Sequence, residues 1–122
     1  MTKHALVVDD SVTMQNMVSL ALKEIGFEVT TAGDGVEAAE KAEKAPFDIV
    51  ITDINMPNMD GIELIRHLRG LESCKSIPIL VLTTEAGDNA KSAGKGAGAS
   101  GWIVKPFNPA ILKTAVSKLC GL

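Results

Sequence analysis

The chain has 122 residues, 46% of them hydrophobic, and a net charge of −3, which suits one domain with a full core. The absence of a basic block argues against a binder of DNA or RNA phosphates. There is no apolar run of about 18 residues, and Met1-Thr2-Lys3-His4 does not open a leader, so a membrane span or secretion signal is not expected.

Cys74 and Cys120 have neither metal-ligand spacing nor the density of a disulfide scaffold. A reducing, cytoplasmic setting is expected, with both thiols as packing or surface residues. His4 and His67 are isolated in sequence, are expected to be exposed, and support no metal site.

The first element is the apolar run Ala5-Leu6-Val7-Val8, which reads as a strand buried on both faces. Met14, Met17, Val18, Ala21 and Ile25 then recur at helical spacing, and Gly26 supplies a C-terminal stop. Phe27 to Thr31 alternates and reads as an edge strand. Asp34 with Glu37 has capping-box spacing and opens a second helix.

Asp48 to Thr52 is another doubly buried strand. Asp60 with Glu63 repeats the capping-box spacing, ahead of a helix with Ile62, Ile65 and Leu68 inward and Gly70 beyond its end. Ile79 to Leu82 and Trp102-Ile103-Val104 complete the strands of the buried kind. Between them, Asp88 to Ala99 mixes helix-forming Ala and Lys with Gly94, Gly96 and Gly98. Each interior glycine costs about 1 kcal/mol against alanine, so a short, loosely held helix is expected there. Asn108-Pro109 caps the last helix, whose inner face is Ile111, Leu112, Ala115, Val116 and Leu119. The methionines on these faces read as core. Strands alternating with helices predict an α/β fold, a parallel sheet with right-handed crossovers and helices on both faces.

The polar residues fall at the strand ends. The first core strand ends in Asp9-Asp10, the third in Asp53, the fourth in Thr83-Thr84 and the fifth in Lys105-Pro106. A parallel sheet puts all these ends on one edge, where ligands bind at the reversal of strand order. Three carboxylates and one lysine leave two uncompensated negative charges, which a divalent cation would neutralise. Hard oxygen donors with no nearby His or Cys favour Mg²⁺, or Mn²⁺, over zinc or copper. The chemistry this set permits is transfer of a phosphoryl group onto a carboxylate. Asp53, alone at a central strand end, is the candidate acceptor. Asp9 and Asp10 would hold the metal, and Thr83 and Lys105 would meet phosphate oxygens. Taken singly, each of these residues fits a turn former or helix cap, and Asp10 or Ser11 would cap the first helix. The set at four strand ends is harder to explain that way.

The segments "VVDDS", "TDINMPNMDG", "LTTEA" and "GASGWIVKPFNP" resemble, in register and over essentially the whole chain, the receiver domains of two-component response regulators, chemotaxis type included. The resemblance implies a flavodoxin-like, doubly wound (βα)5 sheet of order 2-1-3-4-5, in a single receiver domain over residues 1–122 with no output domain. It implies that Asp53 accepts phosphate from the phosphohistidine of a sensor histidine kinase or from small acyl phosphates. Asp10 and Asp53 would bind Mg²⁺ directly, Asp9 through water, and the backbone carbonyl of Asn55 would be a further ligand. Thr83 would swing toward the phosphoryl group, Lys105 would pair with it, and the Lys105-Pro106 bond would be cis. Trp102 occupies the position of a switch aromatic. Asn55, Thr84 and Glu85 stand where the family tunes phosphoryl lifetime, Thr84 being bulkier than the usual Ala or Gly. Such a protein is a phosphoacceptor that assists its own phosphorylation and dephosphorylation, not an enzyme acting on others.

The output surface is expected to be the face from residue 88 to 120, with Lys91, Lys95, Lys113 and Lys118 giving it a basic cast for an acidic peptide. A flagellar motor switch protein or another effector would dock there on a monomer. Alternatives are a phosphate sink that drains the kinase, a phosphatase forming an aspartyl phosphate, and a flavin-binding electron carrier. The phosphatase lacks a second Asp, since Asn55 holds that offset, and the flavin carrier would place its phosphate against Asp9-Asp10.

Overall fold

A computed structural model describes residues 2–122. Its elements run β1 (Lys3–Val8), α1 (Val12–Glu24), β2 (Phe27–Ala32), α2 (Gly35–Lys44), β3 (Ile49–Thr52), α3 (Gly61–Arg69), a 3₁₀ turn (Glu72–Cys74), β4 (Ile79–Thr83), α4 (Asp88–Ala97), β5 (Gly101–Val104) and α5 (Pro109–Leu119). The strands pair in parallel in the order β2-β1-β3-β4-β5. This is the doubly wound, flavodoxin-like α/β sheet.

Alternation along each strand explains the continuous apolar runs. Leu6 and Val8 of β1, with Val50 of β3 and Ile79 and Val81 of β4, face α2, α3 and the end of α4. Ala5 and Val7, with Ile49, Ile51, Leu80 and Leu82, face α1 and α5. Both sides of the central strands are covered, so β3 and β4 have no solvent-side positions for polar residues. The chain turns one way from β1 to β2 and the other way from β3 onward. That reversal opens a crevice beyond the ends of β1 and β3.

The predicted caps form. Ser11, rather than Asp10, caps α1, its Oγ accepting from Met14 N at 3.3 Å. Asp34 and Asp60 accept from the amides of Glu37 and Glu63, and Asn108 from that of Ala110. Glu37 reaches back to the amide of Gly33, one residue before the cap.

Several inward assignments change. Met17 is 47% exposed, and Leu22 is fully buried. Met14 is only half-buried. In α3, Ile65 and Leu68 are buried as expected, but Leu64 is buried with them and Ile62 is only half-buried. Ile111 of α5 is 58% exposed. β5 is an edge strand and none of its residues is buried. Its aromatic and β-branched residues mimic a central strand because they also suit a half-covered edge. Cys74 is buried and Cys120 half-buried, both as free thiols. His4 and His67 are half-exposed and each meets a glutamate, Glu28 at 2.7 Å and Glu43 at 2.9 Å, so neither is isolated.

Candidate functional site

β1 carries Asp9 to the crevice. Its amide continues the ladder to Ala32 O at 3.1 Å, and its carboxylate is tied on both sides. Oδ1 accepts from Ser11 N at 2.9 Å, and Oδ2 from Lys105 Nζ at 2.7 Å. Gln15 donates from Nε2 to the carbonyls of Asp9 and Ala32 at 2.7 and 3.3 Å. This support was not read from the sequence. Asp10 is exposed and makes no hydrogen bond among the described residues.

β3 delivers Asp53 beside it. Asp53 N donates to Val8 O at 3.0 Å, its Oδ1 accepts from Ile54 N at 2.6 Å, and its Oδ2 from Lys105 Nζ at 3.0 Å. The loop to α3 folds tightly over the strand end, with Gly61 N donating to Ile54 O at 2.8 Å. A Cβ on Gly61 would lie 2.1 Å from Asp53 O, so only glycine closes this loop.

Thr83 ends β4 fully buried, its Oγ1 accepting from Glu85 N at 3.3 Å. Its carbonyl accepts from Lys105 N at 2.7 Å, which sets the lysine at the end of β5. The Lys105-Pro106 peptide is cis. Burial works against the Lys105 charge, but hydrogen bonds and negative charge from Asp9 and Asp53 outweigh it. The ammonium is held above its ordinary range.

Oxygens of Asp9, Asp10 and Asp53 lie within 4.8 Å of one another. One lysine between two of three carboxylates leaves negative charge in excess. Hard oxygen donors in that state fit Mg²⁺ or Mn²⁺. Asp9, Asp10, Asp53 and Lys105 thus converge as their strand ends predict, and Thr83 joins them through its backbone bond to Lys105.

The remaining candidates line the rim. Asn55 Nδ2 donates to Glu85 Oε1 at 3.1 Å, which joins the two rim residues across separate loops. Trp102 is half-buried and donates from Nε1 to the Glu85 carbonyl at 2.9 Å. Thr84 is exposed and lines a shallow cleft of about 330 Å³ with Met14, Met17, Lys105, Pro106 and Phe107.

On the 88–120 face, Lys91 and Lys95 are exposed and border a hollow of about 240 Å³ with Ser100, Gly101 and Trp102. Lys118 lines neighbouring hollows on α5. Lys113 does not join them. It bonds Glu24 of α1 at 2.6 Å and ties α5 to α1.

Among proteins of known sequence or structure, the chemotaxis protein CheY-3 of Vibrio cholerae is 42% identical over 115 residues, 93% of this chain and 88% of that protein. The structure of CheY4 from Vibrio cholerae is 46% identical and superposes with a TM-score of 0.93, covering 98% of this chain and 99% of that one. The receiver domain of sensor histidine kinase PA1611 from Pseudomonas aeruginosa PAO1, with a magnesium ion coordinated in its active site cleft, is 28% identical with a TM-score of 0.91 over the full length of both chains. Residues 5–117 match the response regulator receiver domain, so the chain belongs to that family of two-component signalling proteins.

Proposed function

We propose that this receiver domain takes a phosphoryl group onto Asp53 from the phosphohistidine of a sensor histidine kinase, with Mg²⁺ bound, and signals through a face near Trp102. The observation that carries the proposal is the placement of Lys105 Nζ between Asp9 and Asp53, 2.7 and 3.0 Å away, beside three carboxylates whose oxygens share one small volume. No single structural role needs that set.

Asp9, Asp10 and Asp53 would hold the cation, with the carbonyl of Asn55 as a further ligand. Bound there, Mg²⁺ supplies positive charge against the phosphoryl oxygens. An Asp53 carboxylate oxygen attacks phosphorus, the P–N bond to imidazole breaks, and the electron pair leaves with the imidazole. Lys105, already charged and held above its ordinary range, meets the added negative charge. The Thr83 hydroxyl, bonded only by the Glu85 amide, is available to donate to a phosphoryl oxygen. Asn55 is an amide turned to Glu85, so the position two past Asp53 offers no acid-base group for turnover on external substrates. That favours an acceptor over a phosphatase.

Chemotaxis relatives support a flagellar motor switch protein as effector. The exposed Lys91, Lys95 and Lys118 suit an acidic segment of it. The test is intact mass after incubation with acetyl phosphate, with and without Mg²⁺. One phosphoryl adduct, absent without Mg²⁺ and absent in Asp53→Asn, is expected. An adduct that persists in Asp53→Asn, or none in the wild type, overturns the proposal.

A further inference from the structure

We infer that Gly94 is a positioning residue for Trp102: the side chain missing from α4 leaves a notch that seats the indole and thereby ties the helix to the rim of the acidic site. A Cβ built on Gly94 would lie 2.5 Å from Trp102 Cζ3, 3.1 Å from Cε3 and 3.6 Å from Cη2. All three atoms belong to the six-membered ring, so that ring is the part of the indole that lies against the helix. At the other end of the ring system, Nε1 donates to Glu85 O at 2.9 Å. Glu85 in turn bonds Asn55 through its side chain and Thr83 Oγ1 through its amide. A continuous path therefore runs from α4 through the indole to the residues flanking Asp53 and Thr83.

The three glycines of this region are not equivalent. Gly98 closes α4 at φ 116° in the left-handed region, as a helix C-cap. A Cβ on Gly96 meets nothing within 4 Å. Gly94 lies in the helix interior, where glycine is disfavoured, and a Cβ there collides with the ring. With any larger residue at position 94, either the indole leaves its seat or α4 shifts. The seat holds the indole where Trp102 Nε1 reaches Glu85 O.

The inference rests on the reading of Trp102 as the switch residue only for its signalling consequence; the seat itself does not need it. Three variants test it: Gly94→Ala, Gly96→Ala and Trp102→Ala, with Gly94→Ala also placed in the Trp102→Ala background. Gly96→Ala is expected to raise the unfolding midpoint and leave Trp102 emission unchanged. Gly94→Ala is expected to shift emission to longer wavelength and raise acrylamide quenching toward that of free tryptophan. In the Trp102→Ala background, adding Gly94→Ala should raise the midpoint as Gly96→Ala does, because the ring is gone. Gly94→Ala with unchanged emission and quenching overturns the inference, as does the same midpoint change in both backgrounds. If Gly94→Ala does not fold alone, the comparison with its Trp102→Ala double still decides, and rescue by the double supports the seat. A Gly94→Ala emission shift in a protein whose wild type ignores beryllofluoride upholds the seat and removes the switch reading alone.

Discussion

Lys105 and its two carboxylates come from three strands, 96 and 52 residues apart in the chain, and their side chains are 6 to 12% exposed. Removing the lysine leaves buried carboxylates facing one another. Lys105→Met is therefore expected to cost about 3 kcal/mol of stability in the absence of metal, and saturating Mg²⁺ to restore more stability than it adds to the wild type. Urea unfolding with and without Mg²⁺ checks both. The lysine pKa is raised in the folded state, so its contribution is full below the ordinary lysine range and is lost as pH rises through the raised value. The variant should lack that alkaline loss. Asp10, exposed and unbonded, adds only repulsion to the metal-free site. Asp10→Asn should raise the metal-free midpoint and reduce the gain from Mg²⁺. These residues were legible because each stands at the end of an apolar run. The Asn55–Glu85 bond and the support from Gln15 were not, because each depends on how separate loops and helices meet.

At the scale of elements, α4 is held at one end only. Gly98 O accepts from Arg69 Nε at 3.1 Å and Nη2 at 2.8 Å, and Ala97 is buried. Toward its start, Gly87 offers no side-chain cap, and Lys91, Ser92 and Ala93 are exposed. Amide exchange in Lys91–Ala93 is expected to be faster than in Gly94–Gly98, and phosphorylation to change mainly the former. Uniform exchange along the helix would contradict this. The helix expected from this segment is present over Asp88–Ala97. Gly94 and Gly98 are each required by a close neighbour, which composition cannot show. Arg69 was missed for the same reason. It reads as a basic residue at a helix end, yet Nη1 donates to Cys74 O at 2.8 Å and to Ile77 O at 2.6 Å. Arg69→Ala should cost about 2 kcal/mol through the stranded carbonyls, readable in urea unfolding. Strands were found from their apolar runs, but β5 was placed among the covered ones because an aromatic, β-branched edge carries the same residues.

Over the whole molecule, five parallel strands bring Asp9, Asp10, Asp53, Thr83 and Lys105 to one edge, while the indole connects that edge to α4. Periodicity predicts the parallel sheet and its helices on both faces. It does not order the strands, and the order came from the family resemblance. A cation that binds only the folded chain stabilises it by about 2.7 kcal/mol at a hundred times its dissociation constant, so the proposed Mg²⁺ site predicts a gain of that order in urea unfolding. In the proposed mechanism the metal, Asp53 and Trp102 form one coupled unit. Trp102 is the sole tryptophan and there is no tyrosine, so emission reports on a single position. The most direct measurement is Trp102 emission on adding Mg²⁺ and then beryllofluoride, for the wild type and for Asp53→Asn. A beryllofluoride-induced change that requires both Mg²⁺ and Asp53 is predicted. An emission that stays constant in the wild type while beryllofluoride is shown to be bound would contradict the coupling.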